Sequence, residues 1–248
     1  MRVLAVIPAR FGSTRFPGKP LVKIAGREMI LRVCDQVKQC RLVQNFVVAT
    51  DDQKIYDCVS QAGYSVVMTR SDHETGTDRL VEVVSARSEE LILNVQGDEP
   101  FCDPHHLDLL IERYLEAGLD CVMATLNKPI QSVEEMQNPN VVKSLVNQKD
   151  RALYFSRACV PWPRDGGLQN KEWLNICQAH IGVYLYQREF LLNFANLPKS
   201  SLESYEKLEQ LRVLDAGYQI YCVKVAKSAP GIDTPEDLIR AEEWLKRA

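Results

Sequence analysis

Through its first half the chain alternates short β-branched or apolar runs with stretches whose apolar residues recur at helical spacing, and this alternation restricts the fold more than any other feature. It is the pattern of βαβ units, and it predicts an α/β architecture with a mainly parallel sheet flanked by helices. Strands are expected at Val3 to Ile7, Phe46 to Thr50, Val66 to Thr69 and Leu91 to Val95, and the sheet resumes at Cys121 to Leu126. Between them Ile30, Val33, Cys34 and Val37 share one helical face. Ile55, Cys58, Val59 and Ala62 mark a second helix, Leu80, Val83 and Val84 a third, and Leu107, Leu110, Ile111 and Tyr114 a fourth after Pro104.

In open sheets of this kind ligands gather outside the carboxyl ends of the strands, so the segments that follow the runs carry the functional information. The first is PARFGSTRFPGKPL, residues 8–21. Arg10, Arg15 and Lys19 stand there among Gly12, Ser13 and Gly18, which let backbone N–H groups approach an anion, so the loop is expected to hold phosphate. The bland alternative is a solvated basic loop, which the strand directly before it disfavours. Gly12 and Gly18-Lys19 imitate the ends of a P-loop, but five residues separate the glycines and Pro20 follows the lysine. A P-loop needs four residues there and a hydroxyl to bind Mg²⁺, so a metal would have to be held by carboxylates elsewhere.

Asp98, in QGDEP after the fourth strand, is the first candidate, because its carboxylate should project from the same sheet edge. Asp233, in GIDTPED before a strongly signalled helix start, is the second. Magnesium suits such a pair, since it is usually held by one or two carboxylates together with substrate phosphates. Glu99 reads as a surface acid in a tight turn. The second strand is followed by Asp51-Asp52 and the third by TRSDHETGTDR, residues 69–79, whose Arg70, His73 and Arg79 beside Gly76 suit contact with a base or phosphates or, equally, an exposed charged loop.

From about residue 130 the pattern changes to Asn, Pro and Gln punctuation, then ALYFSRACVPWPRDGG (152–167) and HIGVYLY (180–186), so an inserted lobe with its own strands is expected over about 130–190 of a single domain. Arg157 and Arg164 flank its aromatic, proline-rich stretch and suit an anionic second substrate; Tyr154, Phe155 and Trp162 suit interface packing as well. His180 opens an apolar strand and reads as a hydrogen-bonded structural residue or a substrate contact sooner than as a general base. The chain should return to helix at Lys207 to Asp215 with Gly217 as C-cap, then form strand Ile220 to Val225 and a last helix from Pro235.

Net charge of −3 argues against a general nucleic-acid or membrane-surface binder. The eight cysteines are scattered without a C-x-x-C pair, so buried free thiols and a reducing cytoplasm are expected. The N-terminal apolar run is too short for a signal-peptide core, and no run reaches membrane-spanning length.

Taken in order, PARFGSTRFPGKPL, ATDD, MTRSDHETGTDR, NVQGDEP, ALYFSRACVPWPR, HIGVYLY, LEQLR and GIDTPED closely resemble the 3-deoxy-manno-octulosonate cytidylyltransferases, or CMP-Kdo synthetases, over nearly the whole chain. The resemblance implies a nucleotide-diphospho-sugar transferase type of fold, a homodimer built around the inserted strands, and transfer of CMP from CTP to the sugar acid Kdo with release of pyrophosphate, for bacterial surface polysaccharide. Carried over by motif, Arg10, Arg15 and Lys19 would bind the triphosphate, Lys19 taking part in catalysis. Arg70 and Gln96 would sit near the cytidine and the sugar. Asp98 and Asp233 would hold Mg²⁺, and Arg157, His180, Tyr184, Glu209 and Gln210 would line the sugar-acid pocket. Two departures, Gln187 after the Y-x-Y strand and Lys207 before LEQLR, lie near the presumed sugar side and leave open a related acid such as 8-amino-Kdo. A non-catalytic nucleotide-binding paralogue is the alternative of a different class.

Overall fold

The computed structural model describes residues 1–12, 16–73, 75–118, 120–165, 171–229, 231–232 and 235–245. Arg15 and Asp233 lie outside the described residues.

Along the chain, strand β1 is Val3–Ala9, β2 Lys23–Ile24 and β3 Arg27–Glu28, followed by helix α1, Met29–Val37. Next come β4 (Asn45–Thr50), α2 (Gln53–Gln61), β5 (Val66–Met68), α3 (Gly76–Ser85), β6 (Leu91–Val95) and α4 (Pro104–Glu116). The following elements are β7 (Met123–Pro129), α5 (Val133–Gln137), β8 (Lys143–Val146), β9 (Ala152–Ser156) and β10 (Gln178–Gln187). The chain closes with α6 (Arg188–Phe194), α7 (Ser201–Glu206), α8 (Gln210–Asp215), β11 (Ile220–Lys224) and α9 (Pro235–Leu245).

Two compact units result: Met1–Asp108 with Tyr186–Leu192 and Ala229–Ala248, and Leu109–Leu185 with Asn193–Ser228. In the first, β6, β1, β4 and β5 lie side by side and parallel, with Ala5 of β1 opposite both Phe46 and Leu93. All seven residues of β1 and all five of β6 are buried. Strands buried on both faces are what a parallel sheet between helices requires, and they explain why these runs are continuous and not alternating. Helices α2 and α3 are started by side chains that satisfy otherwise orphaned N–H groups. Asp52 accepts from the backbone of Lys54 and Ile55 to open α2, and Thr75 and Asp78 form a reciprocal capping box at α3. Helix α9 brings Ala241 onto Ile24 and Met29, where Ile232 is buried as well.

In the second unit β7 and β11 pair in parallel, whereas β8 runs antiparallel to both β9 and β10. The stretch from 130 to 190 does carry strands, and β8 runs antiparallel to its two neighbours there.

One expected element is corrected. Lys207 to Asp215 is not a continuous helix: α7 ends at Glu206, Lys207 adopts φ 54°, and α8 begins at Gln210. A residue in the left-handed region cannot continue a right-handed helix, so the backbone breaks there. The helix before the break was signalled by Ser200 and Glu203, a capping-box pair that the structure realises. The hairpin of β2 and β3 also went unread. Its turn residues Ala25 and Gly26 both have positive φ, 46° and 81°, as a two-residue turn of that hand demands.

Candidate functional site

At the carboxyl edge of the first unit's sheet a cavity of about 200 Å³ is lined from four directions. The end of β1 supplies Pro8, Ala9 and Arg10; the short turn after the basic loop supplies Lys19; the start of α3 supplies Thr75 and Gly76; and the segment after β6 supplies Gln96, Gly97 and Asp98. Its placement follows from the parallel order, because the carboxyl ends of β1 and β6 are neighbours.

Local backbone chemistry gives the site its shape. Gly18, at φ +71°, donates to the carbonyl of Phe11 at 3.0 Å, which closes the basic loop on itself. Gly97 permits the segment after β6 to lie close against the end of β1: a Cβ there would stand 2.9 Å from the Pro8 carbonyl oxygen, too near for a rigid backbone to accommodate. The loop then turns Lys19 inward. Although its residue is only 6% exposed, the ammonium reaches Asp98 Oδ2 at 2.8 Å, and the Asp98 side chain keeps 41% of its surface.

Cationic groups outnumber acids along this wall. Arg10 is exposed beside Lys19, and the N-terminus of α3, whose first N–H groups carry partial positive charge, opens onto the same space. Such an arrangement is chemically suited to a polyphosphate. Gln96 donates to Asn94 Oδ1 at 3.3 Å, which fixes its amide against β6.

Other predicted residues sit differently. Arg79 lines the cavity, yet its guanidinium is committed to Asp51 at 2.8 Å and to the Thr69 hydroxyl. His73 lines it too and contacts Glu82. Arg70 is exposed, pairs with Asp72 at 3.2 Å and is not among the lining residues.

The predicted sugar-side residues belong to the second unit. Tyr184 donates to Gln210 Oε1 at 3.3 Å, and its ring lies 5.4 Å from that of His180. Phe155 meets His180 edge-on at 5.0 Å, and Thr125 Oγ1 stands 2.9 Å from His180 Nε2. Burial pushes the Tyr184 phenol up, with the Glu209 carboxylate adding to it. Gln210 is buried, and its Nε2 finds no hydrogen-bond partner among the described residues. Arg157 donates from Nε to the Glu206 carbonyl at 2.8 Å and from Nη1 to that of Pro139 at 3.0 Å, while the Glu206 carboxylate receives the Arg157 backbone and the Ser156 hydroxyl. The sequence reading missed Glu206 and Thr125. A lone hydroxyl within the apolar run of β7 is the signal by which Thr125 could have been found.

Burial lowers the His180 pKa to about 3, against an ordinary value near 6.5. Between those values the unfolded chain takes up a proton that the folded chain refuses, so stability is complete above the ordinary value and falls with pH below it. The slope from this one residue is about 1.4 kcal/mol per pH unit. Urea denaturation is expected to show the parent losing about 2 kcal/mol more than His180→Asn between about pH 7 and about pH 5. Equal losses in both proteins would remove His180 as the cause.

The whole chain is similar to known proteins. It matches the family described as Cytidylyltransferase over residues 4–220. It is 47% identical to the 3-deoxy-manno-octulosonate cytidylyltransferase of Syntrophotalea carbinolica, with 99% of each chain covered, and 44% identical to that of Trichlorobacter lovleyi, with 100% of each covered. A solved structure of CMP:2-keto-3-deoxy-manno-octonic acid synthetase complexed with CTP superposes with a TM-score of 0.92 at 39% identity, covering 100% of this chain and 99% of that one. By this full-length match the chain belongs to the 3-deoxy-manno-octulosonate cytidylyltransferase family.

Proposed function

We propose that the chain transfers CMP from CTP to 3-deoxy-manno-octulosonate, with release of pyrophosphate, in the cytoplasm and for bacterial surface polysaccharide. The observation that carries this reading is the Lys19–Asp98 contact of 2.8 Å inside the cationic cavity, which supports pairing the proposed phosphate ligand with the proposed metal ligand. Arg10, Arg15 and Lys19 bind the triphosphate, aided by the first N–H groups of α3. Gln96 and Arg70 serve the cytidine and the sugar. Arg157, His180, Tyr184, Glu209 and Gln210 hold the sugar acid.

The residues present suit Mg²⁺. Asp98 offers a hard, partly solvated carboxylate with only one oxygen taken by Lys19, and magnesium asks for few protein ligands. Asp233 is the proposed second ligand; supporting this, a Cβ at Gly231 would lie 3.4 Å from Glu99 Oε1, the side chain next to Asp98. When bound, the ion neutralises phosphate charge and lowers the pKa of the attacking sugar hydroxyl. The chain's own part is to hold the nucleotide in line for attack at the α-phosphorus and to place Lys19 and Arg10 where charge develops on the departing pyrophosphate. No side chain is needed as a dedicated base.

The assay is pyrophosphate release from CTP with a panel of sugar acids and Mg²⁺. Release with Kdo supports the reading; release only with an amino analogue transfers it to that acid, and none with any acceptor overturns it. We further propose a homodimer, supported by exposed Leu153, Trp162 and Ile176 in the second unit, at 61%, 69% and 57%. Sedimentation is expected to give twice the chain mass of 28.2 kDa; a monomer at working concentration would exclude it. Among the described residues no helix is long and apolar enough to cross a membrane.

A further inference from the structure

The hydroxyl of Thr125 has three neighbours. Its Oγ1 lies 2.8 Å from the Val183 carbonyl oxygen, 3.3 Å from that of Ile181 and 2.9 Å from His180 Nε2. A threonine hydroxyl carries one hydrogen, and a carbonyl oxygen can only accept. At 2.8 Å two oxygens repel unless the hydrogen lies between them, so the Thr125 proton belongs to Val183. The lone pair that remains can only accept, and the contact with His180 is then donation from an Nε2–H.

A neutral imidazole has a single N–H, so fixing it at Nε2 strips Nδ1. The ring is kept neutral by its surroundings: Phe155 and Tyr184 pack against it, and burial holds its pKa at about 3. Among the described residues Nδ1 meets no protein donor. In the same cluster Gln210 presents a buried Nε2 that no group among the described residues accepts from. A bare acceptor and an unused donor are together what an alcohol needs, since a hydroxyl both gives and receives.

We infer that Thr125 is a positioning residue that holds His180 as its Nε2–H tautomer, so that Nδ1 is presented as an acceptor to a hydroxyl of the sugar acid. This rests on the proposed placement of the sugar acid at His180. Thr125 touches no substrate; it acts through the ring, and it decides that the pocket selects for a hydroxyl donor at this point.

Tautomers are read directly by long-range ¹H–¹⁵N correlation of histidine-labelled protein around neutral pH. The expected spectrum of the parent has His180 protonated at Nε2 and bare at Nδ1. Thr125→Val removes the lone pair at nearly constant volume and is expected to lose that preference. Its KM for the sugar acid should rise about tenfold, with kcat and the KM for CTP changed less than about twofold, the loss of one neutral hydrogen bond. Thr125→Ser keeps the hydroxyl and should restore both tautomer and KM, a rescue that a purely structural role for the threonine would not link to the spectrum. A parent protonated at Nδ1, or a Thr125→Val protein with tautomer and KM both unchanged, overturns the inference. His180→Ala tests the underlying placement separately: its KM for the sugar acid should rise, and an unchanged value overturns the pocket assignment whatever the tautomer spectrum shows.

Discussion

Asp98→Asn is expected to lower kcat by about 10²- to 10³-fold, the order lost when one preorganised charge-stabilising group is removed from a reacting centre. The replacement has nearly the same shape, so the backbone that packs Gly97 against Pro8 has no reason to move. What it removes is the negative charge that Lys19 contacts at 2.8 Å and that a magnesium ion would require. CTP affinity, measured by calorimetry, should hold or tighten, because Arg10, Lys19 and the start of α3 remain and one repelling carboxylate has gone from beside the phosphates. Pyrophosphate release measured across a magnesium series should show no return to parental rate at high Mg²⁺. A turnover near the parent's would end the metal role of Asp98, and a lost CTP affinity would make it a structural residue of the pocket instead.

The largest effect on stability is expected from Arg79→Leu, about 3–5 kcal/mol, the range for removing one partner of a buried ion pair. Arg79 is 3% exposed, and the Asp51 side chain it meets keeps only 18% of its surface. Leucine there leaves the Asp51 carboxylate inside the protein without its cation and takes a donor from Thr69, whose hydroxyl in turn donates to the Thr50 carbonyl at 3.1 Å. Urea midpoints would measure the loss. The double variant Arg79→Leu, Asp51→Leu should recover most of it, because the stranded charge is then absent. If Arg79 served mainly the nucleotide, the single variant would instead keep its midpoint and lose CTP affinity.

These two residues show how unevenly the site could be read in the chain. Lys19 and Asp98 are 79 positions apart, yet the expectation that they meet is legible in the chain, because each lies in a segment that follows a strand and parallel strands deliver such segments to one edge. Arg70 and Arg79 stand in the same kind of segment and were read alike. Only the fold separates them: Arg70 points outward to Asp72, while Arg79 turns in to a carboxylate 28 residues earlier. Charge type and position after a strand say that a group is near a ligand edge, not which partner claims it. The helix break at Lys207 was hidden for a related reason, since lysine has no special preference for a left-handed backbone and nothing in its residue type signals one.

The sequence by itself determined the alternation of the main strands and helices in the first half, the mainly parallel sheet, and which segments gather at its carboxyl edge. All of these are written in local periodicity and in the residue types that follow each strand, and burial on both faces leaves a parallel strand little choice of composition. Tertiary structure alone decided the pairing of the buried charges, the close approach at Gly97 and the tautomer of His180. Each depends on the distance between groups far apart along the chain, such as the 2.9 Å between Thr125 and a histidine 55 residues later, and distance of that kind exists only once the strands have docked.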